Sequence, residues 1–207
     1  MTDMASSAQQ DELVARIASG DRDAFARLYR ECRPDVFRFA RHMCGADGLA
    51  EDVVQDVFLA VIESARRYQP GRSGVKPWLL GIASNYVRRW RQRRVFVPLP
   101  DEGSGDGRRM SLAPDPVGDL TRRRQEAALS RAILDLPVRY REVVVLCDLE
   151  ELSYETAASG LGCAIGTVRS RLHRGRALLA RALRGAQPGR VSRTPPAEHL
   201  LKKQEHS

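Results

Sequence analysis

Apolar residues recur at helical spacing over two long stretches of the chain, and neither stretch has the alternation typical of a β-strand. In residues 11–94 apolar side chains return every three or four positions, as at Val53, Val57 and Val61. Residues 121–184 have the same spacing. The pattern predicts an all-α fold built from two small helical domains.

Between these stretches, residues 95–120 interrupt the helical pattern with four prolines and four glycines in 26 positions. Such a composition is typical of an extended, mobile linker. Residues 1–10 and residues 185–207, the latter with three prolines, are expected to be disordered. The predicted organisation is a disordered N-terminus, a first domain at 11–94, the linker, a second domain at 121–184 and a disordered tail.

The last helical segment of the second domain is amphipathic and strongly basic. Its apolar stripe contains Val168, Leu172, Leu179 and Leu183 and is expected to face the core. Residues 164–184 include six arginines and no acidic residue. The opposite side and its flanks carry Thr167, Arg169, Ser170, Arg171, His173, Arg174 and Arg176. These features favour a recognition helix in a DNA major groove over a solvated helix packed on a bundle.

The segment before this helix completes a helix-turn-helix pattern. Ser153 is expected to cap the preceding helix with its side-chain oxygen. Ala158 and Gly162 are small, as is expected where two crossing helices approach closely. The pair of helices with its turn is typical of a DNA-binding unit.

The first domain separates its charges along the chain. A predicted helix near residues 48–66 carries an acidic outer face of Glu51, Asp52, Asp56 and Glu63, with Gln55 among them. The segment that follows ends with five arginines between residues 88 and 94, near Trp78, Tyr86 and Trp90. Aromatic and basic residues together bind single-stranded nucleic acid, although each tryptophan taken alone is better explained by core packing.

Composition narrows the function classes. The 207 residues carry a net charge of +8, which favours an anionic partner. No apolar run is long enough to span a membrane and the first residues do not resemble a signal peptide, so a cytoplasmic protein without membrane insertion is expected. The four cysteines are scattered and predicted to be reduced structural thiols, with a metal or redox site at Cys32, His42 and Cys44 as a minor alternative.

Three blocks of the chain together resemble the extracytoplasmic-function (ECF) sigma factors, the short members of the sigma-70 family. The stretch AEDVVQDVFLAVIE at 50–63 is similar to family region 2.2. The stretch PWLLGIASNYVRRWRQRR at 77–94 is similar to regions 2.3 and 2.4, and residues 136–179 are similar to region 4. The blocks occur in the family order and cover both predicted domains.

The resemblance implies a subunit that binds core RNA polymerase and directs promoter-specific initiation. Docking on the beta-prime clamp is implied for Asp52, Gln55 and Asp56. Minus-10 recognition and melting are implied for Trp78, Asn85, Arg88, Arg89 and Arg91, with a flipped base held between Asn85 and the loop at 68–76. Minus-35 recognition is implied for Thr167, Arg169, Ser170, Arg171, His173, Arg174 and Arg176.

The family also implies further partners. Region 4 would contact the flap of the beta subunit, and the linker, acidic at Asp101, Glu102 and Asp106, would follow the RNA exit path. An anti-sigma factor is expected as a regulator, and the chain is expected to be a monomer when free, without metal or cofactor. One departure is that Ala157 and Gly160 stand where the family usually has larger aliphatic residues, which predicts a second domain of low stability.

Two other function classes compete with the sigma-factor interpretation. The first is a free-standing helix-turn-helix regulator, although the chain has no dimerisation heptad or ligand domain. The second is a metal-dependent nuclease using Glu51, Asp52 and Asp56, although no second ligand cluster accompanies them. The common catalytic motifs of ATPases, zinc proteases and serine hydrolases are absent from the sequence, so the protein is expected not to be an enzyme.

Overall fold

The computed structural model describes residues 2–71, 74–94 and 116–185, and every regular element in these ranges is helical. Helices α1 to α4 form the first domain and helices α5 to α8 the second. Their bounds are Thr2–Ala18 (α1), Arg22–Cys44 (α2), Asp47–Ser64 (α3), Val75–Arg94 (α4), Pro116–Leu134 (α5), Val138–Val144 (α6), Tyr154–Leu161 (α7) and Ile165–Gly185 (α8). A single 3₁₀ turn follows α3 and a π-helical turn, Val145–Leu149, follows α6. The all-α prediction is confirmed.

The first domain is a bundle around α2. Asp21 caps this helix by accepting hydrogen bonds from the backbone N–H groups of Asp23 and Ala24 at 2.9 and 3.0 Å. At the other end the chain turns at Gly45, whose φ of 83° is the left-handed conformation that glycine adopts without strain. The centre of the bundle is completely buried and includes Phe39 and Leu80.

The second domain contains the predicted helix-turn-helix. Ser153 accepts a 3.1 Å hydrogen bond from the backbone N–H of Thr156, which confirms the predicted cap of α7. Gly162 ends α7 with a φ of 63°, and a side chain there would meet nothing within 4 Å. Its small size therefore serves the left-handed turn, and the expectation of a close helix approach at Gly162 was wrong. Ala158 is buried, as that expectation required.

Two helix boundaries differ from the sequence prediction. Helix α1 begins at Thr2, although residues 1–10 were expected to be disordered. Helix α5 begins at Pro116 rather than near Thr121, because a proline in the first helical turn loses no hydrogen bond and has a suitable φ. Most of the predicted linker, with its acidic residues 101, 102 and 106, and the predicted tail after residue 185 lie outside the described residues. Within the described ranges, no helix has the length and apolar character needed to cross a bilayer.

The two domains contact each other where α4 crosses α7. A Cβ atom placed on Gly81 would lie 3.0 Å from the carbonyl oxygen of Gly160 and 3.1 Å from its Cα. The backbones of the two helices therefore touch at this point. The small residue at position 160, which the sequence suggested was a defect of the second domain, has a packing role against the first domain.

Candidate DNA-binding and partner-docking surfaces

The outer face of α8 presents the predicted minus-35 residues. Arg169, Ser170, His173, Arg174 and Arg176 are exposed, and the flanking residues at 167 and 171 are partly buried. The opposite side is in the core, where Val168 and Leu172 are buried. The structure confirms the helical orientation on which the recognition-helix prediction rested.

Two of these arginines are held in place by neighbouring side chains. Arg176 forms a bidentate ion pair with Asp148, with distances of 2.5 and 3.1 Å from its nitrogens to the carboxylate oxygens, and this pair raises the pKa of the guanidinium. The guanidinium carbon of Arg169 lies 5.9 Å from the ring centroid of Tyr154, within cation–π range. These contacts orient basic groups that remain exposed to solvent.

Helix α8 crosses α6 at Gly175. A Cβ atom on Gly175 would lie 2.8 Å from Cγ2 of Val144 and 3.3 Å from the carbonyl oxygen of Tyr140. Glycine at this position lets the recognition helix lie directly on the backbone of α6. Its position between two arginines of a basic helix gave no signal of this packing role.

The basic face of α4 is more heavily engaged than the sequence suggested. Asn85 and Arg89 are exposed, and Oδ1 of Asn85 accepts a 2.5 Å hydrogen bond from Arg88. Arg88 also faces Glu142 of the second domain at 3.5 Å. Arg91 donates a 3.3 Å hydrogen bond to the carbonyl oxygen of Met43. Arg88 and Arg91 therefore already have protein partners.

Trp78 is half-buried rather than displayed on the surface. Its ring packs 4.7 Å from that of Tyr68, whose hydroxyl donates a 2.5 Å hydrogen bond to Asp11. Burial and the nearby carboxylate both raise the pKa of Tyr68. The aromatic pair thus braces the start of α4 against the loop at 68–76, of which residues 72 and 73 lie outside the described residues.

A buried arginine connects the two domains and was not identified from the sequence. Arg141 of α6 is 2% exposed and donates a 2.6 Å hydrogen bond to the carbonyl oxygen of Met43, at the end of α2. It also donates to the carbonyl oxygens of Leu134 and Leu136, at the end of α5. Burial lowers its pKa to about 10. An arginine in a basic chain ordinarily indicates a surface position, so nothing in the sequence pattern indicated that Arg141 is buried.

The acidic face of α3 is exposed as predicted and borders an apolar groove. Asp52, Gln55 and Asp56 are all exposed. The groove has a volume of 350 Å³ and is lined by Phe25, Tyr29, Glu51, Asp52, Val54, Gln55, Phe58 and Leu59. Leu59 is 52% exposed and Ile62 is 55% exposed on the same helix. This surface combines carboxylates with apolar area, as protein-docking surfaces do.

The residues considered for a metal site are not clustered. In the parts of the chain that the structure describes, no group of three His, Cys, Asp or Glu side chains is arranged to hold a metal ion. Burial raises the pKa of Cys32 to about 12, which makes this thiol unreactive. Glu51 forms an ion pair with Arg33 at 2.5 Å.

Comparison with known proteins places both domains in one family. The Sigma-70 region 2 family matches residues 28–96, and the Sigma-70 region 4 family matches residues 126–179. The ECF RNA polymerase sigma factor SigE of Mycolicibacterium smegmatis is 36% identical over 162 residues, which cover 77% of this chain but only 62% of that relative. The ECF RNA polymerase sigma factor SigC of Mycobacterium tuberculosis is 33% identical over 189 residues, which cover 86% of this chain and 96% of SigC.

A solved structure has a similar fold. The sigma factor RpoE of Bartonella quintana, crystallised with the anti-sigma factor NepR, is 28% identical with a TM-score of 0.58, and the match covers 79% of this chain and 98% of that one. Both family regions are present in order, and the surfaces described above lie within them. The chain therefore belongs to the ECF RNA polymerase sigma factors of the sigma-70 family.

Proposed function

We propose that this ECF sigma factor docks on core RNA polymerase through the acidic face of α3, and reads promoters with α4 and α8. Members of this family are transcription initiation factors that bind core RNA polymerase and promoter DNA. The main support for promoter reading is on α8, where exposed arginine, serine and histidine side chains lie opposite a buried apolar side. The proposal assigns polymerase docking and minus-10 recognition to the first domain, α1 to α4, and minus-35 recognition to the second domain, α5 to α8.

The minus-35 element is proposed to lie against Thr167, Arg169, Ser170, Arg171, His173, Arg174 and Arg176. Arginine can donate two hydrogen bonds to O6 and N7 of guanine, which gives about 1–3 kcal/mol of discrimination for each pair. Shorter hydroxyl and imidazole side chains on the same face can contact phosphates or base edges. The absence of acidic residues between 164 and 184 removes repulsion from the DNA backbone.

Run-off transcription with purified core polymerase on genomic fragments, followed by sequencing of the start sites, tests the proposal. New start sites that depend on this chain are expected, and their upstream sequences will identify the promoter. A chain that produces no new starts would contradict the proposed function. Tight binding to duplex promoter DNA without polymerase would instead support the free-standing regulator.

We expect Arg174→Ala to reduce initiation from those promoters by roughly 5- to 150-fold, the equivalent of about 1–3 kcal/mol. The control is Arg181→Ala, because Arg181 is exposed on the same helix and carries the same charge outside the proposed site. Initiation rates with each variant, on a promoter with its minus-35 element intact and on one with it scrambled, provide the measurement. Equal losses for the two variants would indicate a nonspecific charge effect.

The opened minus-10 strand is proposed to lie on α4. Asn85 is exposed and is proposed to hold a flipped base, and Arg88, Arg89 and Arg91 are proposed to neutralise phosphates. Trp78, whose half-buried ring packs on Tyr68, is proposed to belong to the same minus-10 surface. In this structure the guanidinium of Arg88 is shared between Asn85 and Glu142.

Polymerase docking is proposed for Asp52, Gln55 and Asp56, with the groove beside them receiving apolar side chains of the partner. The acidic face is proposed to meet a basic surface of the polymerase. We expect Asp52→Lys and Asp56→Lys, tested singly, to weaken binding to core polymerase by at least about tenfold, since two like charges facing each other across an interface cost several kcal/mol. Glu63→Lys is the control, because Glu63 is also exposed on α3 and the charge change is the same. Binding is measured by fluorescence anisotropy of labelled chain with unlabelled core enzyme. Equal affinities for all three variants would remove this surface from the proposal.

Three further points belong to the proposal. The chain acts without catalysis of its own, and magnesium-dependent DNA hydrolysis that is lost in Asp52→Asn would overturn that statement. It acts in the cytoplasm, where polymerase and chromosome are located.

An anti-sigma factor is proposed to control this chain, as NepR binds the Bartonella quintana relative. Co-purification of a single stoichiometric partner that blocks run-off transcription would support this control.

A further inference from the structure

We propose that Asp148 is a positioning residue for promoter recognition. It holds the guanidinium of Arg176 so that the free edge of this group donates two hydrogen bonds to a guanine of the minus-35 element. Asp148 has this role only if α8 lies against that element, so the proposal rests on the proposed function. It adds a residue from outside the recognition helix to the site, and it assigns Arg176 to a base rather than to a phosphate.

The ion pair with Asp148 occupies one edge of the Arg176 guanidinium. Nε and Nη2 of Arg176 donate to the two carboxylate oxygens at 3.1 and 2.5 Å. Arginine carries five N–H donors in a planar fork, so three donors remain, on Nη1 and Nη2. Two of these three lie side by side at the end of the side chain, in the arrangement that binds O6 and N7 of guanine. Because the Arg176 side chain is 54% exposed, a base can reach it.

The carboxylate of Asp148 stands on a well-anchored turn. It belongs to the π-helical turn Val145–Leu149, a rare conformation that is frequent at functional sites. Val145 and Leu146 are buried, so the turn is fixed in the core of the domain. Just after it, the backbone N–H of Leu152 donates to the carbonyl oxygen of Leu146 at 3.0 Å. The turn therefore gives a long and flexible arginine side chain a rigid support.

A tyrosine continues this support along the same flank of α8. The hydrogen bond with Asp148 raises the pKa of Arg176, and the hydroxyl of Tyr154 raises it further. The guanidinium carbon of Arg169 lies 5.9 Å from the centroid of the Tyr154 ring. Arg169 and Arg176 are seven residues apart, about two helical turns, and therefore project from the same side of α8. Two side chains from the segment before and at the start of α7 thus hold two arginines of the proposed site.

The charge of Asp148 favours a base over a phosphate as the target of Arg176. Phosphate contacts gain their free energy from charge neutralisation and the release of counterions. In the ion pair the charge of Arg176 is already balanced by a carboxylate, so a phosphate gains little from it. A hydrogen bond to a base edge depends on direction, and a guanidinium that is already held loses less rotational freedom on binding. The pair therefore contributes specificity rather than general affinity for DNA.

The test uses holoenzyme assembled from purified core polymerase and the full chain, bound to fluorescein-labelled promoter fragments found by run-off transcription. Each guanine of the minus-35 element is replaced in turn by 7-deazaguanine, which lacks the N7 acceptor but still pairs with cytosine. Arg176→Lys keeps the charge but lacks the fork, and Asp148→Asn removes the carboxylate. Glu151→Gln is the control, because Glu151 is exposed three residues from Asp148 and loses the same charge. Fluorescence anisotropy measures the affinities.

We expect 7-deazaguanine at one position to weaken binding of the unchanged holoenzyme by about two- to tenfold, the effect of one hydrogen bond. At that position Arg176→Lys and Asp148→Asn should both lose the sensitivity, and Glu151→Gln should keep it. A purely structural role for Asp148 would instead lower the affinity for every fragment by the same factor. The proposal fails if no guanine is sensitive, or if either Arg176→Lys or Asp148→Asn keeps the full sensitivity.

The salt dependence of binding provides a second test that needs no modified base. On a fragment with a scrambled minus-35 element, Asp148→Asn frees Arg176 to neutralise a phosphate. The slope of log affinity against log salt concentration should then steepen by about 0.9, the contribution of one phosphate contact. Glu151→Gln should keep the slope of the unchanged chain. Equal slopes for Asp148→Asn and the unchanged chain would show that the carboxylate does not neutralise Arg176, contrary to the proposal.

Failure of this proposal and failure of the proposed function give different results. Equal affinity of the unchanged holoenzyme for intact and scrambled minus-35 elements would contradict the proposed function of α8. Clear discrimination between the two elements, combined with full sensitivity of Asp148→Asn to the modified guanine, would contradict the role of Asp148 and leave the proposed function in place.

Discussion

Replacing Arg141 with methionine is expected to lower the free energy of unfolding by about 2–4 kcal/mol. The guanidinium donates to three backbone carbonyl oxygens, those of Met43, Leu134 and Leu136. Methionine fills much of the same volume but donates no hydrogen bond to the oxygens of Leu134 and Leu136, while the oxygen of Met43 keeps the 3.3 Å hydrogen bond from Arg91. Each buried acceptor left unsatisfied costs about 1–3 kcal/mol. Because the variant avoids the cost of burying a charge, the net loss in the free energy of unfolding stays below the summed costs of the unsatisfied oxygens.

The measurement is urea unfolding followed by circular dichroism at pH 7. Arg139→Met is the control, because Arg139 is exposed on the same short helix and its loss should change stability by less than about 0.5 kcal/mol. Identical unfolding midpoints for the two variants would contradict the structural role of Arg141.

The lowered pKa of Arg141 determines how the stability difference between the unchanged chain and Arg141→Met depends on pH. Burial lowers the pKa of Arg141 to about 10, so folded and unfolded chains both hold the proton at lower pH. Proton linkage at this group therefore begins only as the pH rises past 10, where the unfolded chain binds more protons. The stability difference between the unchanged chain and the methionine variant should stay constant from about pH 6 to pH 9.

Gly175→Val is expected to destabilise the second domain by about 3 kcal/mol, at the upper end of the range for overpacking. The first added carbon would lie 2.8 Å from the side chain of Val144 and 3.3 Å from a backbone oxygen of Tyr140. A valine side chain at position 144 is stiff and the backbone oxygen is fixed, so α8 must move away from α6. Movement of α8 also displaces the arginines on its outer face.

The control for this prediction is the same substitution at Gly166, in the first turn of α8. A side chain at Gly166 would meet nothing within 4 Å, so Gly166→Val should leave stability unchanged or slightly raised. Urea unfolding of both variants gives the comparison, with run-off transcription as the functional measurement. Equal stability of the two variants would mean that the crossing of α6 and α8 tolerates a larger residue.

The contact between the two domains explains the acidic residues Glu142 and Glu150 of the second domain, which their sequence context does not. Glu142 and Glu150 lie in the middle of a block that resembles region 4, and in sequence they resemble ordinary surface charges. In the structure both are buried against the first domain. The same packing explains Gly160, which the sequence suggested was a weakness of the helix-turn-helix.

The amino-acid sequence by itself determined the helical class, the apolar stripe of α8 and the cap at Ser153. These features depend on residues three or four positions apart, and local periodicity reports such contacts directly. The tertiary structure alone decided the roles of Gly81, Gly160 and Gly175 and of Arg141. Each of these residues acts against a backbone or side chain far along the chain, and a glycine or a buried arginine looks the same in sequence whether or not that distant partner is present.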